Sequence, residues 1–165
     1  MQNLLIVENN LTCIYSLINC ICKEILNIRL YNIALTGMEA IDIIKSERVD
    51  IIVLDLNLPD MNGIDIINFI SKNNLYKYNS SIIIYTNETN LLTKVIKNDY
   101  VFCYCSKINS KDYLIKKIRE LIDEKKSKLN LNDVKNQIKK ELEKLNFKFS
   151  YIGTKYLSES IYECY

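Results

Sequence analysis

No histidine occurs among the 165 residues. That absence excludes every mechanism built on an imidazole: Ser-His or Cys-His catalysis, zinc sites using His, and a phosphohistidine relay within the chain. Proline occurs once and glycine three times. We read this scarcity, beside abundant Ile, Asn, Lys and Tyr, as compositional bias rather than function. No stretch approaches the roughly 18 apolar residues that would cross a bilayer. The opening MQNLLIVENN has neither a basic start nor a long apolar core, so it is no secretory signal. A cytoplasmic chain without a membrane segment is expected. Charge of one sign is also missing: 22 Lys plus Arg face 20 Asp plus Glu, so nothing advertises nucleic acid. The six cysteines include no C-x-x-C pair, and both C-x-C pairs lie inside apolar runs. Buried free thiols are expected.

What is present is ordinary globular material. Apolar residues make up 48% of the chain and charged ones 25%, enough for a substantial core in one main domain. Short β-branched runs occur at Leu4–Val7, Ile28–Ala34, Ile51–Leu54, Ile82–Tyr85 and Val101–Cys105. Segments with helical spacing alternate with them: Ile14, Leu17, Ile21 and Ile25; then Met38–Ile44, Ile64–Ile70 and Leu91–Ile96; then Leu114, Ile118, Leu121 and Ile122, with Ser110 as N-cap. Five strands alternating with five helices predict a flavodoxin-like α/β fold. Its parallel sheet is doubly wound in the order 2-1-3-4-5, with helices on both faces. The third strand, IIVLDL, is almost continuously apolar, as a strand covered on both faces should be.

Functional groups in such sheets gather beyond the carboxyl ends of the strands. Glu8, Asn9 and Asn10 follow the first strand, Asp55 closes the third, Thr86 ends the fourth and Lys107 follows the fifth. Two carboxylates in a cleft, with a hydroxyl and an ammonium opposite, suit phosphoryl chemistry. The carboxylates can hold Mg²⁺, Asp55 can attack phosphorus, and Lys107 and Thr86 can bind the transferred oxygens. Each residue alone reads equally well as a helix-end charge, a cap or a solvated lysine. The constellation is what is specific.

Across residues 1–125 the sequence resembles the receiver domain of two-component response regulators. The pieces LLIVEN, ALTGMEAID, DIIVLDLNLPDMNG, IIIYTNE and VFCYCSK carry the resemblance. It implies that Asp55 accepts a phosphoryl group from a histidine kinase or phosphotransfer protein. It also implies a Mg²⁺ site of Glu8, Asp55 and the Asn57 backbone carbonyl. Thr86 and Lys107 match the switch hydroxyl and the phosphoryl-binding lysine, and Tyr104 the aromatic switch. The sequence departs from the family at three points. Asn9 stands where a second acid is usual; its amide can still coordinate, with one charge fewer. Asn87 replaces a small residue beside Thr86. Ile108 replaces a proline whose preceding bond is usually cis; since a cis non-proline bond costs about 2.5–4 kcal/mol, a trans bond and a displaced Lys107 are expected.

Residues 126–130, within DEKKSKLNLND, read as a linker or a frayed helix end. In 131–165, Val134, Ile138, Leu142 and Leu145 form one amphipathic helix, and Tyr156, Leu157, Ile161 and Cys164 suggest a second beyond Gly153. Two such helices need a partner surface, either the receiver or a second copy of the chain. The stretch LEKLNFKFSYIGTKYLSESIYECY resembles the opening of the DNA-binding domain of the sporulation master regulator family. The recognition helix of that family lies further along than this sequence reaches. These 165 residues are therefore expected not to bind DNA specifically.

The resemblance implies a signalling phosphoacceptor rather than an enzyme. A degenerate receiver that acts without phosphate as an interaction module, or a fragment of a DNA-binding transcriptional regulator, are the alternatives. An Asp-nucleophile phosphatase would need an acid two residues after Asp55, where Asn57 stands. A flavin or nucleotide module would need a Ser/Thr/Gly-rich loop where ENNLTC stands.

Overall fold

The computed structural model describes residues 2–25, 28–73, 80–88, 90, 92–95, 97–109 and 111–144. Strands and helices alternate: β1 (Gln2–Val7), α1 (Leu11–Glu24), β2 (Ile28–Ala34), α2 (Gly37–Ser46), β3 (Ile51–Leu54), α3 (Gly63–Lys72), β4 (Ser81–Thr86), α4 (Leu92–Val95), β5 (Val101–Ser106) and α5 (Lys111–Lys144). All strand pairings are parallel and the order is β2-β1-β3-β4-β5, as the alternating pattern predicts.

Period-two alternation along each strand divides the core between the two faces of the sheet. Leu5, Val7, Ile52, Leu54, Ile82 and Ile84 pack with Ile41, Ile44, Ile66, Ile67 and Ile70 of α2 and α3. Leu4, Ile6, Ile51, Val53, Ile83 and Tyr85 pack with Leu17 and Ile21 of α1 and Leu114, Ile115 and Ile118 of α5. Register slips by one residue in β2 opposite Leu4/Leu5 and in β5 opposite Ile82/Ile83. The second slip sets Cys103 and Cys105 on the α1–α5 face and Tyr104 on the other. The expected buried thiols are only partly found: Cys105 is buried, Cys13, Cys20 and Cys103 are half-buried, and Cys22 on the polar side of α1 is exposed.

Helix starts follow their caps. Asn10 Oδ1 accepts the Cys13 amide, Thr36 Oγ1 accepts the Glu39 amide, and Asn62 Oδ1 accepts the Ile64 amide. Ser110, the expected cap of α5, lies outside the described residues.

At the sheet end far from the site, Asp50 is 3% exposed. Its carboxylate accepts the Asn3 amide at 2.8 Å and Arg48 Nε at 3.0 Å, locking the start of β3 to β1. Asp50→Ala strands that amide, so we expect a loss of about 1–3 kcal/mol in urea unfolding. The Mg²⁺ response should not change.

The chain divides into compact units of Met1–Ile122 and Asp123–Tyr165. Residues 126–130, expected as a linker, are helical and continuous with α5, which runs to Lys144. Lys and Glu are good helix formers, and Lys128 pairs with Glu124 at 2.6 Å across one turn. The first helix expected in 131–165 is therefore a continuation of α5 up to Lys144. The second, around Tyr156–Cys164, lies outside the described residues. No helix among the described residues is long and apolar enough to cross a membrane.

Candidate functional site

The register fixes the site. Val7 pairs with Leu54, so the next residues, Glu8 and Asp55, emerge side by side at the carboxyl edge. Their backbones continue the ladder: the Asp55 amide donates to Val7 O at 2.9 Å and the Glu8 amide to Ala34 O at 3.0 Å. Glu8 is 2% exposed and Asp55 5% exposed, unusual burial for acids, and it demands a partner. Lys107 supplies it. Its Nζ lies 2.6 Å from Glu8 Oε2 and 2.5 Å from Asp55 Oδ2, so those two oxygens are no more than about 5 Å apart.

Lys107 is thus not displaced, contrary to the sequence expectation. The reason is local: β5 runs one residue further than the apolar pattern shows, and the Lys107 amide still donates to Thr86 O at 3.3 Å. The turn beyond hangs on Ser106, whose Oγ accepts the Ile108 amide at 3.2 Å and whose carbonyl accepts the Asn109 amide at 3.1 Å. A proline at 108 could not make the first of these bonds. The Ile108 side chain itself is 84% exposed. Burial works against the Lys107 ammonium, but hydrogen bonds and charges from Asp55 and Glu8 outweigh it and hold its pKa above lysine's ordinary value. The stability from this pairing is complete below that ordinary value and is lost only as pH rises through the raised one. It is therefore constant through the neutral range.

The remaining positions fall around this triad. Thr86 is buried, and its Oγ1 accepts the Glu88 amide at 3.2 Å within its own turn. Tyr104 is half-buried on the α2–α3 face of the sheet. Asn9 and Asn87 are exposed. Asn57 is also exposed; its amide donates to Asp55 Oδ1 at 3.3 Å, and it bridges to Asn62 across the β3–α3 loop. Two residues near the triad were not singled out in the sequence. Lys107 Nζ lies 5.9 Å above the Tyr85 ring centroid. The Cys13 thiol is pushed up to about 11 by burial and then by the Glu8 carboxylate. No sequence signal marks either, because both belong to the α1–α5 side of the core.

Residues 4–121 match the family model described as the response regulator receiver domain. The chain belongs to that family. Among solved structures, a CheY-like response regulator receiver domain protein from Methanospirillum hungatei is 24% identical with a TM-score of 0.65. That match covers 78% of this chain and 98% of the other. A LuxR-family DNA-binding response regulator from Staphylococcus aureus is 22% identical, with 73% and 98% covered and a TM-score of 0.64. The response regulatory domain of mrkE from Klebsiella pneumoniae is 19% identical, with 74% and 96% covered and a TM-score of 0.66. At these identities the likeness establishes the receiver fold. No curated protein matches the chain.

Do the residues of this receiver suit a divalent cation? Glu8 Oε2 is buried, and the Lys107 ammonium 2.6 Å away is the charge that faces it. Asp55 supplies a second carboxylate at the same level, and Asn57 a loop carbonyl. This is an all-oxygen set of the kind hard cations take, and it fits. It is also sparse: among the described residues no three His, Cys, Asp or Glu side chains cluster as metal ligands.

Proposed function

We propose that Asp55 is a phosphoacceptor in two-component signalling, with a histidine kinase or phosphotransfer protein as donor and Mg²⁺ held by Glu8, Asp55 and the Asn57 carbonyl. The observation that carries this reading is the single ammonium of Lys107 bridging two buried carboxylates at a parallel-sheet edge. In the transfer, an Asp55 carboxylate oxygen forms a bond to phosphorus while the donor's P–N bond breaks and its imidazole leaves. When bound, Mg²⁺ supplies positive charge that offsets the phosphoryl oxygens. Lys107 exchanges its carboxylate contacts for a phosphoryl oxygen. Thr86 leaves the Glu88 amide and donates its hydroxyl to another oxygen. Asp55 phosphate adds roughly one to two negative charges, and these new charge-assisted bonds are the driving term. Movement of Thr86 frees space for Tyr104, which biases a surface over α4, β5 and α5 read by an output partner or a second copy of the chain.

One observation favours a second reading, a receiver that signals without phosphate: Asn9 leaves only two acids, and Lys107 already neutralises them in part. Uptake of phosphoryl from acetyl phosphate, with Mg²⁺ and with chelator, separates the two. We expect uptake that vanishes on chelation. No uptake at saturating Mg²⁺ would favour the second reading. Asn9→Asp restores a carboxylate to the exposed side of the site. It should tighten Mg²⁺ in a calorimetric titration, because hard cations prefer charged oxygens. If the Asp variant gains no affinity, Asn9 does not limit the metal.

A further inference from the structure

The β3–α3 loop, from Asp55 to Gly63, is fastened at both ends. At its base the Gly63 amide donates to Leu56 O at 2.9 Å, and Asn57 bridges Asn62. At its tip Asp60 reaches a different helix altogether. Its Oδ1 accepts the Gly37 amide at 2.7 Å and its Oδ2 the Met38 amide at 2.9 Å, the first two amides of α2. A helix start leaves such amides without intrahelical partners, and a carboxylate there also meets the positive end of the helix dipole. Thr36 caps only the third amide, that of Glu39, so Asp60 completes the set. Met61 adds a packing contact: its side chain lies on Gly37, where a Cβ would overlap Met61 Cγ and come within 2.6 Å of Sδ.

We propose that Asp60 is a positioning residue for the cation site, tethering the loop to α2 and thereby fixing the Asn57 carbonyl toward the carboxylates of Glu8 and Asp55. The inference rests on the reading that these three groups bind Mg²⁺. Its physical basis is that Asn57 is exposed between two anchors: Leu56 and Leu58 are buried in the core at the base of the loop, and Asp60 ties the tip to α2. Releasing the tip frees the loop beyond Leu58 to shift. Groups that orient a metal ligand without touching the metal typically matter by about 10–100-fold in affinity.

The test is a calorimetric Mg²⁺ titration of the full chain and of Asp60→Ala, Asp60→Asn and Thr36→Ala. Circular dichroism confirms that each variant is folded at the titration temperature. Asp60→Ala should weaken Mg²⁺ about 10-fold. Asp60→Asn keeps one acceptor oxygen and should fall between Asp60→Ala and the parent chain. Thr36→Ala removes a cap from the same helix without touching the loop; it should lower the melting temperature and leave Mg²⁺ affinity unchanged. Amide exchange at Gly37 and Met38 should quicken in Asp60→Ala, which reports the lost tether independently of any metal. If the parent binds Mg²⁺ and Asp60→Ala binds it equally well, the positioning role is wrong. Equal weakening in Thr36→Ala would also overturn it, since the effect would then be α2 stability. If the parent itself binds no Mg²⁺, the reading of the site fails first and takes this inference with it.

Discussion

Lys107→Gln should lose phosphoryl uptake while gaining affinity for Mg²⁺. The two effects share one cause. The Lys107 ammonium is the cation nearest to both carboxylates, which are 3% and 6% exposed at their side chains. Removing it leaves two buried negative charges close together. In the absence of added metal this should cost about 3–5 kcal/mol, the usual penalty for breaking a buried pair. Mg²⁺ relieves the same repulsion without displacing an ammonium, so its binding should tighten and its stabilising effect on melting should grow. Phosphoryl transfer should nevertheless fall by about 10²–10³-fold, because the proposed charged donor to the developing phosphoryl oxygens is gone. Melting curves with and without Mg²⁺, alongside uptake from acetyl phosphate, measure the three quantities together. A variant with parental uptake would remove Lys107 from the chemistry.

Gly63→Ala should be nearly as damaging through a different route. A Cβ on Gly63 would lie 2.6 Å from the Asp55 carbonyl oxygen and 2.9 Å from Leu56 Cα, both backbone atoms that cannot swing aside. The clash has to be met by moving the start of α3 or the end of β3, and Asp55, the proposed acceptor, follows directly on the latter. Overpacking of this kind costs about 1–3 kcal/mol. A displacement of about 1 Å at a reacting group is enough to lower a rate about 10²-fold. Chemical denaturation should report the first loss and phosphoryl uptake the second. Parental uptake in a folded Gly63→Ala would show that the loop absorbs the extra carbon without moving Asp55.

The fold was legible because its rules are short-range. IIVLDL reads as a two-face-buried strand, and the spacing of Ile14, Leu17 and Ile21 marks the buried face of α1 by a pattern confined to a few residues. The strand-end constellation was legible too, since the parallel sheet brings Glu8 and Asp55 to one edge whatever the loops do. Three features were not. The cost of a cis bond before Ile108 argues for a displaced Lys107, but that cost does not govern where the lysine sits. The strand pairing that carries its amide to Thr86 depends on β5 running to Ser106, beyond the apolar pattern. The polar run after Ile122 reads as a linker or a frayed helix end, but a helix needs no apolar face to continue when its residues are helix formers with pairs such as Glu124–Lys128. The tie from Asp60 to Gly37 and Met38 joins residues more than twenty positions apart, and it appears only once α2 and the β3–α3 loop are packed.

Asp55 should take a phosphoryl group in a Mg²⁺-dependent way. Intact-mass spectrometry after acetyl phosphate and Mg²⁺, followed by peptide mapping, tests it most directly. The expected result is a single added phosphoryl group on the peptide containing Asp55, absent from Asp55→Asn and absent when Mg²⁺ is chelated. An unmodified parent chain, or the same added mass in Asp55→Asn, would contradict it.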